Sequence, residues 1–345
     1  MALLLLADHE ARRALRRERL FRPRRNPLNS LTDDEVTRRY RFTRIGITQL
    51  LERVGRQIQH RTQCNNAIPP LLQLLTTLRF YGTGAFYMVE GDLHNVSAAS
   101  VCRIIHKVSR AISTLTNEVI TFPVEIQDVM RVKRDFHAVS GFPGVVGAID
   151  CTHVKLYGAP LGEDEHLYVN RKGYHSINVQ VVCDAGFKIV NVVARWPGSS
   201  HDSAVLHGSL LGQMFTDGRL QGTLIGDTGY ALRPWLMTPV TEPATNADRR
   251  YNRSHRRTRV KIEQLFGQLK RRFPCLSLGL RVAPPKACLI IKACCVLFNL
   301  SKEFREPELL FEGEVEVEDD DHHLPYDGPI RDGVLHRQML INRFF

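Results

Sequence analysis

The sequence predicts a mixed α/β fold, a sheet flanked by helices with a helical region in front of it. Three observations carry this reading: β-branched runs gather between 140 and 227, helical periodicity governs 66–120, and two more helical patterns follow the last strand-like run.

Along the chain, residues 12–25 (RRALRRERLFRPRR) hold eight arginines and one acid. Such a run serves as a solvated arm, or as a nuclear-import or phosphate-contacting segment. Ile68, Leu71, Leu72, Leu75 and Leu78 then recur at three- and four-residue spacing, which predicts a helix. FYMVEGDLHNVSAASVCRIIHKVSRAI predicts a short helix, a turn at Asn95–Ser97 and a second helix with Ser97 as its N-cap. Val101, Ile104, Ile105 and Val108 face inward there, leaving Ser100, Arg103, His106, Lys107 and Arg110 outside. The pattern is helix-turn-helix-like, with Arg103, Lys107 and Arg110 placed to meet a major groove; a plain three-helix packing unit shares it.

VVGAID (145–150), INVQVVCD (177–184), KIVNVVARW (188–196) and GTLIGD (222–227) are the candidate strands, with a short helix starting after SSHD. Helical patterns cover 260–273 and 286–302. EGEVEVEDDD (312–321) has seven acids and no base, which predicts a flexible tail able to mask a basic body. The closing LHRQMLINRFF is apolar enough to dock as a short helix.

With 345 residues and 43% hydrophobic content, the chain can bury one substantial core and a smaller one. A net charge of +11 favours a polyanionic partner, either nucleic acid or an anionic membrane surface, and charge alone does not choose between them. MALLLLA lacks the basic lead and apolar length of a secretion signal, so an intracellular protein is expected. CLIIKACCVLFNL (288–300) is interrupted by Lys292 and too short to span a bilayer, which reads as a core helix and predicts no membrane partner. Eight cysteines without a C-x-x-C pair suit reduced thiols rather than disulfides or structural zinc.

Asp150 closes one strand-like run, Asp227 closes another, and Asp202 in PGSSHDSAVL stands at a helix start. Two strand-end aspartates side by side in a sheet face one cleft. A few carboxylates of this kind suit Mg²⁺ or Mn²⁺, which keep sites open for substrate phosphates. Thirty-six positions after Asp227 comes Glu263, the single acid among ten Lys and Arg residues from Arg249 to Arg272. Ile262, Leu265, Phe266, Leu269 and Phe273 form the core stripe of its helix, and Glu263 borders it. Glu263 then completes a metal site while Arg256, Arg259 and Lys270 hold a DNA backbone; a surface Arg259–Glu263 pair worth about 0.3–0.5 kcal/mol is the plainer alternative. In NRKGYH, Gly173 permits a tight turn and Arg171 and Lys172 are candidate phosphate contacts, although an ordinary basic hairpin loop has the same composition. His153 and His201 lie near the aspartates in sequence and read either as partners of the metal ligands or, more ordinarily, as structural hydrogen-bonders.

GAIDCTHV, NRKGYHSINVQVVCD, WPGSSHDSAVL, GDTGY and YNRSHRRTRVKIEQLFGQLKRRF, in this order and spacing, resemble the PIF/Harbinger superfamily of DDE transposases, and within it the vertebrate Harbinger transposase-derived nucleases. The resemblance covers about 140–300. It implies an RNase H-like mixed sheet whose first and fourth strands carry Asp150 and Asp227, with Glu263 on a late helix as the third catalytic residue and Asp202 as a further metal ligand. It also implies a divalent-cation-dependent nuclease, residence in nucleus and cytoplasm, and a separate Myb/SANT-like DNA-binding partner; a homodimer is compatible with this kinship. The expected division is 1–65 (basic arm and helices), 66–135 (helix-turn-helix-like), 136–302 (DDE nuclease domain) and 303–345 (acidic tail).

On that footing two metal ions bridged by Asp150, with Asp227 and Glu263 each holding one, would activate a water for in-line attack on a phosphodiester. Asp202 would orient a ligand or bind metal itself. Two other functions share the sequence features: a DNA-binding adaptor that no longer cuts, and an active transposase that also joins ends.

Overall fold

The computed structural model describes residues 24, 26–62, 66–158, 161–308 and 331–345. The acidic run at 312–321 and the arginine-rich run at 12–25, Arg24 excepted, lie outside the described residues.

The chain begins with helices α1 (Asp33–Tyr40), α2 (Arg44–Ile58), α3 (Pro70–Thr83), α4 (Tyr87–His94), α5 (Ala98–Ser113) and α6 (Ile126–Ser140). A capping box sets the start of α1, where Thr32 accepts from Glu35 N and the Glu35 side chain accepts from Thr32 N. The expected turn lies between α4 and α5: Asn95 takes the left-handed conformation at φ 53° and Ser97 caps α5 by accepting from Ser100 N. The backbone closes so tightly there that a Cβ at Gly91 would lie 2.5 Å from the Val96 carbonyl oxygen. Val101, Ile104, Ile105 and Val108 are buried as predicted.

The sheet contains β1 (Val145–Lys155), β2 (Ser176–Cys183), β3 (Ile189–Pro197), β4 (Thr223–Ile225) and β5 (Leu236–Met237), in the order β3-β2-β1-β4-β5. β1, β2 and β3 are antiparallel neighbours, whereas β4 runs parallel to β1 and β5 parallel to β4. Alternation along β1 splits the core: Ala148 and Val154 join the larger cluster with the long helices, while Val146, Ile149 and Cys151 join a smaller one. That second face is covered by α7 (Asp202–His207) and α8 (Leu210–Thr216), through Leu206, Leu211 and Phe215. The larger cluster runs without a break from Val36 in α1 to Ile341, so the core is continuous across residue 136.

Two long helices complete the first face, α9 (Asn246–Arg272) and α10 (Pro284–Glu303). α9 starts well before the predicted residue 260, because its inward stripe continues in polar form. Tyr251, Ser254, His255 and Thr258 are buried there, and each has a partner. Tyr251 Oη donates to the Thr238 carbonyl at 2.9 Å, His255 Nε2 lies 3.1 Å from the Met237 carbonyl, and Ser140 Oγ meets Thr258 Oγ1 at 2.7 Å. Burial holds the His255 imidazole down near 4, so it is the neutral ring that donates to Met237.

α10 is long and apolar enough to cross a membrane by length and composition, but 67% of its apolar window is buried against the rest of the chain. Its Asn299 is pinned in the core: Oδ1 accepts from Ile189 N at 2.9 Å, and Nδ2 donates to the Ile189 and Val119 carbonyls. The closing segment forms α11 (Arg331–Phe344), longer than expected. It docks on the start of α9, with Arg337 Nη1 donating to the Pro239 carbonyl and the Phe345 ring 5.6 Å from those of Phe142 and Tyr251. Seven cysteines lie among the described residues, all of them free and five buried.

Candidate active site

The parallel pairing of β1 and β4 sets the geometry. Ala148 lies opposite Ile225, and Asp150 and Asp227 each follow two residues later, so both carboxylates arrive level on adjacent chains. Asp227 sits just past its strand. Asp150 does not end its strand as expected: β1 continues five residues further, paired with β2 from Asp150↔Val181 to Lys155↔Ser176. The apolar run stops at Ile149, which hid this more polar continuation, held by pairing with β2 and by Cys151 and Val154 buried on opposite faces.

Asp202 opens α7 behind His201, whose Nδ1 accepts from Ser203 N at 3.3 Å. Asp150, Asp202 and Asp227 are all buried, and each offers an oxygen within 4.8 Å of the others. Oxygen donors of this hardness and spacing fit a hard divalent cation such as Mg²⁺ or Mn²⁺ and suit no soft metal.

Each acid is also tied to the fold. Asp150 Oδ1 accepts from Cys151 N at 2.8 Å, Asp227 Oδ1 from Gly229 N at 3.1 Å, and Asp202 Oδ1 from Asn178 Nδ2 at 2.9 Å. Burial, and after it the nearby Asp227 carboxylate, pushes the Asp150 carboxyl well above the ordinary range, with Arg259 pulling the other way.

Glu263 stands outside this trio and is joined to it through α9. One face of the Arg259 guanidinium donates from Nη1 to Asp150 Oδ2 at 3.2 Å, while Nη2 meets Glu263 Oε1 at 2.6 Å. The Arg259 and Asp150 side chains are 14% and 10% exposed, so solvent screens this pair little; Glu263, at 37%, opens to water. The i,i+4 pair weighed from sequence does form, but as half of a bridge into the aspartates. Arg259, expected to hold a DNA backbone, thus points into the carboxylates.

The other basic candidates differ in exposure. Arg256 is exposed two turns before Glu263 on α9, and Lys270 is half-buried two turns after it. Arg171 and Lys172 are exposed in a turn where Gly173 has φ 79° and the buried Asn170 accepts from Lys172 N. On α5, Arg103 and Arg110 are exposed, whereas Lys107 donates to the Ile58 and Gln59 carbonyls at the end of α2. His153 Nδ1 lies 3.0 Å from Ser176 Oγ, the structural role expected of it.

Sequence reasoning passed over Asn178, which also donates to the Ser200 carbonyl at 2.9 Å and so fixes the loop that presents Asp202. The available signal was an amide inside a fully buried strand rich in β-branched residues, since a buried amide needs a specific partner.

Comparison with known proteins agrees with this arrangement. Residues 149–299 match the family described as DDE superfamily endonuclease, a span that holds all four acids. The chain is 41% identical over 280 residues to the human protein named "Putative nuclease HARBI1", covering 80% of both chains, and 37% identical over 278 residues to its Xenopus laevis namesake, covering 79% and 80%. It is 25% identical over 254 residues to the Arabidopsis thaliana protein "Protein ALP1-like", covering 69% of this chain and 62% of that one. No solved structure matches the chain. On this identity and coverage, the chain belongs to the Harbinger transposase-derived group of the DDE superfamily endonucleases.

Proposed function

We propose that this protein is a divalent-metal-dependent nuclease that hydrolyses DNA phosphodiester bonds, with Asp150, Asp227 and Glu263 as its catalytic carboxylates and Asp202 as a further ligand. The observation that carries the reading is the trio of buried aspartates with oxygens within 4.8 Å of one another, inside the span matched by an endonuclease family. Buried acids this close repel, and a divalent cation is the natural partner that offsets the repulsion. The strand order β3-β2-β1-β4-β5, antiparallel across β1–β3 and parallel beyond β1, supports an RNase H-like sheet.

When bound, Mg²⁺ or Mn²⁺ supplies Lewis-acid polarisation of the phosphodiester and of its attacking water. The chain supplies the rest. Asp150 on β1, Asp227 just past β4 and Asp202 at the start of α7 would hold the cation, with Glu263 reaching it from α9 on the more exposed side. The exposed arginines of α9, Arg253, Arg256 and Arg257, offer charge to a phosphate backbone beside the carboxylates.

Nicking of supercoiled plasmid tests the activity. Wild type nicks in Mg²⁺ or Mn²⁺ and stops in EDTA, and Glu263→Gln loses the metal-dependent component while keeping DNA affinity. Nicking that persists in EDTA, or in the variant at the wild-type rate, rejects the proposal.

The helix-turn-helix-like pair α4–α5 supports a DNA contact through Arg103 and Arg110, because both are exposed on one helix. Replacing both with Ala lowers the slope of log affinity against log salt by about 2, one unit per phosphate contact. Lys107 is excluded from this test because its removal strips the carbonyls at the end of α2. An unchanged slope takes α5 off the binding surface.

A further inference from the structure

We propose that Arg259 is a resident counter-cation of the carboxylate site, one that competes with the divalent ion and so sets its affinity; this rests on the metal-dependent reading above. Three features point to it. The guanidinium reaches two of the proposed ligands at once, Asp150 Oδ2 and Glu263 Oε1. It does so from a side chain only 14% exposed, where charge is weakly screened and an uncompensated trio of acids would be costly. And its position is fixed by the fold: Thr258, next in sequence, is held by Ser140, and Ile262 is buried in the core.

The planar, two-armed guanidinium suits this task. It satisfies one oxygen of each carboxylate in the metal-free protein and ties Glu263, one helical turn away and partly open to water, to Asp150. Those same oxygens are needed as metal donors. Binding a divalent cation therefore makes Arg259 give up at least one of its two partners, and a positive charge stays beside the ion afterwards. Both effects weaken binding. Arg259 in this account is a positioning residue: it touches the ligands, and its influence on the ion runs through them. The site stays partly neutralised without metal and releases metal readily.

The test is calorimetric titration of the full-length protein with MnCl₂, alongside thermal unfolding in EDTA and in Mn²⁺. Arg259→Gln binds Mn²⁺ at least about tenfold more tightly than wild type, since a neighbouring positive charge and a competing donor are both gone. The same variant unfolds at a lower temperature in EDTA and regains the difference in Mn²⁺. Arg259→Lys keeps the charge but reaches one carboxylate at a time, so its affinity falls between the two. It also keeps the test open if the glutamine variant folds poorly. Arg256→Gln, one turn earlier on the exposed face, changes Mn²⁺ affinity by less than about twofold because water screens it. Equal or weaker Mn²⁺ binding by both Arg259 variants overturns this inference alone. A wild type that binds no Mn²⁺ overturns it together with the metal-dependent reading.

Discussion

Asp150→Asn abolishes metal-dependent nicking and, in the same preparation, raises the unfolding temperature of the EDTA-treated protein. On the proposed function the loss follows from removing a metal ligand, which costs several kcal/mol of transition-state stabilisation and lowers the rate by about 10³-fold or more. The gain follows from the direction of the Asp150 titration. Burial and Asp227 raise its carboxyl well above the ordinary range, so the folded metal-free protein keeps a proton that the unfolded chain releases. Such a group contributes stability in acid, and that contribution is lost as pH rises from the ordinary carboxylate range through the raised value. Asparagine carries no charge at any pH and escapes the loss. At neutral pH the variant unfolds at a higher temperature than wild type in EDTA, and near pH 3 the gain vanishes. A variant less stable than wild type in EDTA at pH 7 shows instead that the Arg259–Asp150 pair outweighs the repulsion among the acids.

Asn299→Leu is the substitution with the largest expected cost to stability, about 3–5 kcal/mol. Leucine keeps the branched skeleton of four side-chain heavy atoms, but its methyl groups are bulkier, so overpacking adds to the polar loss. The asparagine amide closes three hydrogen bonds in the core, accepting from Ile189 N and donating to the carbonyls of Ile189 and Val119. Leucine leaves all three backbone groups buried and unsatisfied, at about 1–3 kcal/mol each before relaxation. Asn299→Asp keeps the acceptor for Ile189 N but loses both donated bonds and buries a charge, so it also destabilises. Urea denaturation monitored by far-UV circular dichroism measures both, as a lower midpoint at unchanged slope. A midpoint within experimental error of wild type for Asn299→Leu contradicts this role.

Much of this was legible in the residues before any coordinates. The inward stripe of α5, its cap at Ser97 and the helix start at Asp202 follow from spacing and side-chain chemistry that act locally. The strands β2, β3 and β4 were visible for the same reason, as short β-branched runs. The features that escaped notice depend on tertiary partners. β5 is two residues long and exists because β4 lies beside it. The first half of α9 carries Tyr251, Ser254, His255 and Thr258 where a periodicity search expects apolar side chains, and their hydrogen bonds to Thr238, Met237 and Ser140 make that stripe buriable. At the site itself, the four acids could be picked out by type and position. Which arginine would turn inward could not, because Arg256 and Arg259 differ in sequence only by a helical offset of three. That offset places one in water and the other between Asp150 and Glu263.

The unbroken run of α9 from Asn246 to Arg272 makes it a ruler. At 1.5 Å per residue, its 27 residues span about 40 Å, and seven positions separate Arg256 from Glu263 by about 10 Å on one side of the cylinder. Adding or deleting a single residue inside that interval swings everything beyond it by about 100°. Glu263 and Arg259 would then face the wrong neighbours while the helix itself survived. A change of length between Asp227 and Glu263 that keeps both in place therefore has to fall in residues 228–245, before the rod begins; from Asn246 onward residues can be exchanged, but their number cannot change without turning Glu263 away.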